Sequence, residues 1–249
     1  MGQEAALLLV GRRRLAIATM ALALALACCQ AEPAGTVDPR HYDAFFLWPG
    51  MRPPDLPSGP RVVYLLAGEV RRNDASHIVP LRAVPHVPRA EVWLTVRAER
   101  LDWSDGVYRQ VLDELARWQA AGNRVAGLQI DFDEETNGLD GYAQFLSQLR
   151  RRLPAHYRLS VTGLLDWSAH GDPAALARLG GVVDEVVVQT YQGRSTIPGY
   201  QHYMAALTHL TLPHKIALVE QGEWHEPPGL AQDRQFRGYV VFMLSRPPT

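Results

Sequence analysis

The sequence predicts an α/β protein built as a compact (β/α)8 TIM-like barrel, with short or missing helices after strands one, two and seven. Three observations carry this. Eight apolar, β-rich runs occur along the chain, at Ala44–Trp48, Arg61–Ala67, Glu91–Val96, Val125–Phe132, Arg158–Leu164, Glu185–Thr190, Lys215–Val219 and Gly238–Leu244. Most are continuously apolar, as parallel strands covered on both faces must be. Helical patterns lie between several of them. Val107, Val111, Leu112, Leu115 and Trp118 form a stripe ending near Gly122, and Tyr142, Phe145, Leu146, Leu149 and Leu153 form a second, stopped by Pro154. Asp172-Pro173 is a cap and first turn for Ala174–Leu179, and a fourth pattern, Tyr200–Leu210, stops before Pro213. Residues 49–60 are proline-rich and too few for a helix with two loops. Pro80, Pro85 and Pro88 shorten any helix after strand two, and residues 223–235 leave little room after strand seven. The rival architecture, an open doubly wound sheet, calls for a glycine-rich phosphate loop after the first strand, and Trp48-Pro49-Gly50 is not one.

The chain divides into a signal segment (1–27), a tether (28–40) and one domain (41–249). Arg12, Arg13 and Arg14 precede an Ala/Leu stretch, Leu15–Ala27, too short to span a bilayer. It ends at Ala27-Cys28-Cys29, which resembles a bacterial lipoprotein signal. Lipid on Cys28 or Cys29 would anchor an exported protein in the envelope, on the periplasmic side. Simple secretion and a retained anchor are the alternatives. These are the only two cysteines, so the domain has no disulfide and no thiolate chemistry. A chain this long buries a large core without such staples. Loss of the leader moves the formal net charge from -1 to about -3. No basic patch with interleaved aromatics is present, which argues against nucleic acid as a partner.

Val125–Glu135, VAGLQIDFDEE, runs an apolar strand straight into acids at alternate positions. Strand side chains alternate faces, so Asp131, Asp133 and Glu135 would share one side. Crowded carboxylates raise one another's pKa, and a carboxyl that keeps its proton can act as a general acid. A plain reading is a strand end with a solvated acidic turn. Position favours chemistry, because the run ends strand four and barrel active sites are built where strands end. The same rim would carry Trp48, Glu69, Arg97, Asp166, Trp167, Gln189, Tyr191, Gln221, Glu223, Trp224, Ser245 and Arg246. Aromatic faces suit the apolar faces of sugar rings, and carboxylates, amides and arginine bind hydroxyls. A poly- or oligosaccharide is therefore the expected partner, with Trp48, Asp166, Trp167, Gln189, Gln221 and Trp224 as substrate-binding candidates.

Leu128–Glu135 resembles the strand-four signature of chitinase-like glycosidases, D-x-x-D-x-D-x-E. Asp131, Asp133 and Glu135 match its last three acids, and Leu128 replaces the first. Val186–Gln192, VVVQTYQ, resembles their strand-six segment, with Tyr191 at its tyrosine, and Arg158–Leu165 resembles their fifth strand. The texture of the whole chain resembles an uncharacterised bacterial family of exported barrel proteins known only as a domain of unknown function. The glycosidase resemblance implies that Glu135 is general acid and later base. It implies that Asp133 orients a substrate acetamido group that attacks the anomeric carbon, that Tyr191 donates a hydrogen bond to that group, and that Asp131 tunes Asp133. Such substrate assistance departs from the two-carboxylate scheme and uses no metal or cofactor. Glu134 is a rival for the acid. Phe242 or Tyr239 would replace the aromatic that lies under the sugar at the end of strand eight.

The other motifs are weaker. The nine histidines lack metal-ligand spacing. The acidic run lacks the downstream pattern of a calcium loop. Ser160 and Ser168 lack a G-x-S-x-G context. Trp93, Trp103 and Trp118 read as core, and Asn137 and Asp140 as caps of the following helix. A glycoside hydrolase acting on an amino-sugar-containing envelope or extracellular polysaccharide is thus the leading expectation. A non-catalytic carbohydrate-binding barrel and a structural or assembly lipoprotein are the alternatives.

Overall fold

Eight parallel strands close into a barrel in the computed structural model, which describes residues 35–133, 138–207 and 210–245. They are β1 (Ala44–Leu47), β2 (Val62–Val70), β3 (Glu91–Ala98), β4 (Arg124–Asp131), β5 (Arg158–Leu164), β6 (Glu185–Gln189), β7 (His214–Val219) and β8 (Phe236–Phe242). Each pairs in parallel with the next, and β8 closes on β1, Val241 opposite Phe45 and Phe242 opposite Phe46. Closure leaves the ring of eight strands without a free edge among the described residues.

The helices follow the periodic segments. They are α1 (Asp105–Ala120), α2 (Leu139–Arg152), α3 (Asp166–His170), α4 (Pro173–Gly180) and α5 (Gln201–Leu207). Ser104 caps α1, and Asp172 caps α4 by accepting from the Ala175 amide at 2.7 Å. Among the described residues no helix follows β1 or β2. The β2–β3 connection adds only Val79–Pro80, antiparallel to Gly68 and Glu69. After β7 there is a single 3-10 turn, Leu230–Gln232. The prolines forbid longer helices in these short connections.

Strand alternation sorts the core into two shells. Ala44, Phe46, Val62, Tyr64, Trp93, Val187, Ala217 and Val240 pack within the barrel. The other strand face joins the helices in a larger cluster that includes Leu128, Ile130, Trp103 and Trp118. Gly127 shows why one strand position must be small. A Cβ there would lie 1.9 Å from the Arg158 carbonyl oxygen of the neighbouring strand.

One expectation, a cap by Asp140, needs correction. The compact unit of the fold runs from Gly35. Gly35 and Thr36 pair with Trp224 and Glu223, and Val37 is buried with both its amide and carbonyl bonded to the turn after β7. The tether is thus partly absorbed into the domain. Asp140 does not cap α2. The cap position is Gly138, without a side-chain bond, and Asp140 instead pairs with Arg178 of α4. Asn137 lies outside the described residues.

Candidate functional site

On β4, Leu128 and Ile130 belong to the outer shell, so alternation turns Gln129, Asp131 and, just beyond the strand, Asp133 toward the barrel axis. Asp131 and Asp133 line a depression of about 570 Å³ at the C-terminal mouth of the barrel. Strand ends bring the rest of its wall together: Thr95 and Arg97 from β3, Thr162 and Leu164 from β5, Gln189 from β6, and Phe242 from β8. Trp48 follows β1. Asp166 opens α3, and Tyr203 comes from α5. Tyr191 and Gln192 pair with Thr196 and Ser195 in a small hairpin that turns at Gly193, φ 59°.

One side of the depression is aromatic. Phe242 stacks on Tyr191 at 5.2 Å between centroids, and Trp48 meets Phe242 edge-on at 5.7 Å. The Arg97 guanidinium sits 5.1 Å from the Trp48 ring centroid and 3.8 Å from Asp133. Burial pushes the Asp131 carboxyl up to about 6. Arg97 opposes the rise, Asp133 adds to it, and a hydrogen bond from Thr162 opposes it. Burial, with the Asp131 charge second, pushes the Tyr191 phenol well above its usual value, so it stays a donor; its bond with Gln189 works weakly against this. The site therefore offers a carboxyl whose proton burial holds up to about pH 6, two further aspartate side chains, Asp133 and Asp166, a phenol donor and one guanidinium.

The structure places the predicted residues unevenly. Asp131, Asp133, Tyr191, Trp48, Asp166 and Gln189 line one depression. Glu135 and its rival Glu134 lie outside the described residues, as do Cys28, Cys29 and Arg246. Three of the substrate-binding candidates do not line the depression. Trp167 is 2% exposed and packs edge-on against Tyr142 in the helical shell. Trp224 is 8% exposed, stacked on Tyr200 and edge-on to Tyr239. Gln221 is an exposed turn residue at φ 63° whose amide bonds to the Val37 carbonyl. Glu69 pairs with Arg71 instead of facing the depression. Of the two strand-eight aromatics, Phe242 lines the depression, whereas Tyr239 donates to Glu226. Leu128 is fully buried in the outer shell, so a carboxylate at that position would not face the depression. Thr95, Thr162 and Tyr203 were missed. The first two are signalled by register alone, two residues before Arg97 and two after Ser160 on inward-facing strand positions.

The closed ring of eight parallel strands defines the class, the (β/α)8 TIM-like barrels. The chain belongs to the family described as a domain of unknown function, DUF3142, whose model matches residues 90–216, just over half of it. Among solved structures, the chitinase domain of the spore coat protein CotE from Clostridium difficile is similar, with TM-score 0.50 and 12% identity over 77% of this chain and 66% of that one. The spore cortex-lytic enzyme SleL from Bacillus cereus matches at TM-score 0.45 and 15% identity over 76% of this chain and 51% of its own. A tamarind chitinase-like lectin matches at 0.46 and 12% over 81% and 94%. The chain thus spans about half of SleL and about two thirds of the CotE domain. No curated protein matches in sequence. At such identities the likeness is one of fold.

Proposed function

We propose that the depression is the active site of a glycoside hydrolase acting on an amino-sugar-containing cell-envelope or extracellular polysaccharide, by general acid catalysis with substrate assistance. The observation that supports it best is the convergence of Asp131, Asp133 and Tyr191 beside the Trp48–Phe242 aromatic wall. In this reading Glu135 protonates the leaving oxygen. Asp133 orients the acetamido group and balances the positive charge that develops as its oxygen attacks the anomeric carbon. Tyr191, kept protonated, donates to that oxygen. Asp131 tunes Asp133. As a neutral acid below about pH 6 it adds no repulsion, and once ionised it reinforces the negative charge beside the developing cation.

A glycan-cleavage screen tests this. Glu135→Gln should keep the fold and glycan binding and lose about 10²–10⁴-fold in turnover on poor leaving groups. Loss of activity in Glu134→Gln but not in Glu135→Gln would reassign the acid. The Arg97–Asp133 pair favours a second reading, a carbohydrate-binding barrel without catalysis, because substrate must displace or share that pairing. Glycan binding without cleavage, unchanged in both glutamine variants, would select it. Neither binding nor cleavage would leave the scaffold reading, a structural or assembly lipoprotein. We further propose export with a lipid on Cys28 or Cys29, to be read by mass spectrometry of the mature N-terminus. An uncleaved, unmodified Met1 chain would reject it.

A further inference from the structure

Lys215 is the sole lysine of a chain that otherwise carries its positive side chains as arginine. It does not serve the surface. It lies on β7 within the barrel, 8% exposed. Its ammonium donates to the Tyr64 hydroxyl at 2.7 Å and lies 3.1 Å from Glu185 Oε2. Tyr64 in turn donates to Glu185 Oε1 at 2.5 Å. Burial, then the Glu185 charge, pushes the Tyr64 phenol far up, so it remains a donor. A buried ion pair is a poor source of stability, because desolvation offsets the attraction. Another consequence of the pair is visible in what is bonded to it.

From Glu185 a chain of hydrogen bonds climbs to the mouth. Ser160 Oγ donates to Glu185 Oε1 at 3.0 Å, Gln129 Nε2 to Ser160 Oγ at 3.3 Å, and Thr95 Oγ1 to Gln129 Oε1 at 3.1 Å. Gln129 and Ser160 are fully buried, and Thr95 is 3% exposed and lines the depression. The direction of each bond follows from the first. An ionised carboxylate only accepts, so Ser160 commits its single hydrogen to Glu185 and can only accept from Gln129. The Gln129 amide must then face Ser160 with its NH₂ and Thr95 with its carbonyl oxygen. Thr95 commits its hydrogen to that oxygen and has only lone pairs left for a ligand.

We propose that Lys215 and Glu185 set this direction and so make Thr95 Oγ1 an acceptor-only contact in the depression, selecting ligands that present an N–H or O–H there. Thr95 is the specificity residue. Lys215, Glu185, Ser160 and Gln129 are positioning residues that act through it. The choice of probe below rests on the glycan reading, whereas the direction of the relay does not.

Two measurements on the full chain decide it. Neutron diffraction from deuterated crystals should place both Gln129 Nε2 deuterons on the Ser160 side and the Thr95 deuteron on the Gln129 oxygen. The reversed arrangement overturns the proposal. In Glu185→Gln, whose carboxamide can itself donate, the Thr95 deuteron should lose its single orientation. An unchanged orientation would remove Glu185 from the argument, and if this variant does not fold the wild-type density still decides. The second measurement is calorimetry with tetra-N-acetylchitotetraose. Thr95→Ser should stay within about 2-fold of wild type, and the shape-matched Thr95→Val should lose about 10- to 100-fold. Equal affinity for Thr95→Val and wild type overturns the contact. Should wild type not bind the probe, the glycan reading of the site fails, and the neutron result alone judges the relay.

Discussion

Asp131 holds its carboxyl among Arg97, Asp133 and Thr162, and burial is the largest influence on it. The native chain keeps this proton up to about pH 6, whereas an unfolded aspartate releases it near 3.8. Between those values folding takes up a proton, so stability falls as pH rises through the window and the full penalty is present above it. Asp131→Asn should therefore change stability little at pH 3.5 and raise it at pH 7, by at most about 3 kcal/mol. Urea unfolding at the two pH values checks this, and an equal change at both would refute the assigned cause. Arg97→Gln removes the opposing positive charge and should move Asp131 further up, which an NMR titration of its carboxyl carbon would read. An unmoved or lower midpoint would mean that Arg97 does not act on Asp131. Trp48 and Trp167 show what a sequence position cannot say. Both follow strand ends, but Trp48 lies on an irregular segment at the mouth, whereas Trp167 is in α3 and packs against Tyr142. Helical phase, not distance from the strand, decided between them.

At the scale of elements, two positions test how local chemistry fixes the frame that carries the site. Asp172 satisfies an otherwise orphaned amide at the start of α4. Asp172→Ala should cost about 1 kcal/mol and lower the melting temperature by roughly 2–4 °C. No change in a thermal melt would mean that water replaces the cap fully. Gly127 is under a harder constraint, because the atom its Cβ would strike is backbone of β5. Gly127→Ala should cost more than about 3 kcal/mol or shift the β4–β5 pairing, whereas a typical surface change stays within about 0.5 kcal/mol. Amide hydrogen exchange along Leu128 to Asp131 would show lost protection. Since β4 carries Asp131, the same change should perturb the mouth.

At the scale of the molecule, the strap at Gly35–Val37 joins the start of the folded unit to the turn after β7. Val37→Asp would place a charge in a buried site already crossed by two backbone hydrogen bonds. It should release the strap and expose the bonds before Tyr42 to limited proteolysis. Cleavage there at the wild-type rate would show that the strap contributes nothing. Barrel closure supplies the other whole-molecule fact. Residues from β3, β4, β5, β6 and β8, far apart in sequence, reach one mouth because parallel strands all end on the same side.

The sequence by itself determined the barrel. Buried parallel strands must be continuously apolar, and the eight runs are legible for that reason. The prolines of residues 49–60 and 80–88 likewise announced connections without helices. It also determined that Asp131 and Asp133 share a face, because alternation is a local property of a strand. The tertiary structure decided what depends on neighbours across the barrel. It turned Trp167 and Trp224 into packing residues and joined the later part of the tether, Gly35–Val37, to the domain. Thr95, Ser160 and Gln129 read along the chain as ordinary strand residues. They become a directed relay only when β3, β4, β5 and β6 stand side by side, because each hydrogen bond joins residues more than twenty positions apart.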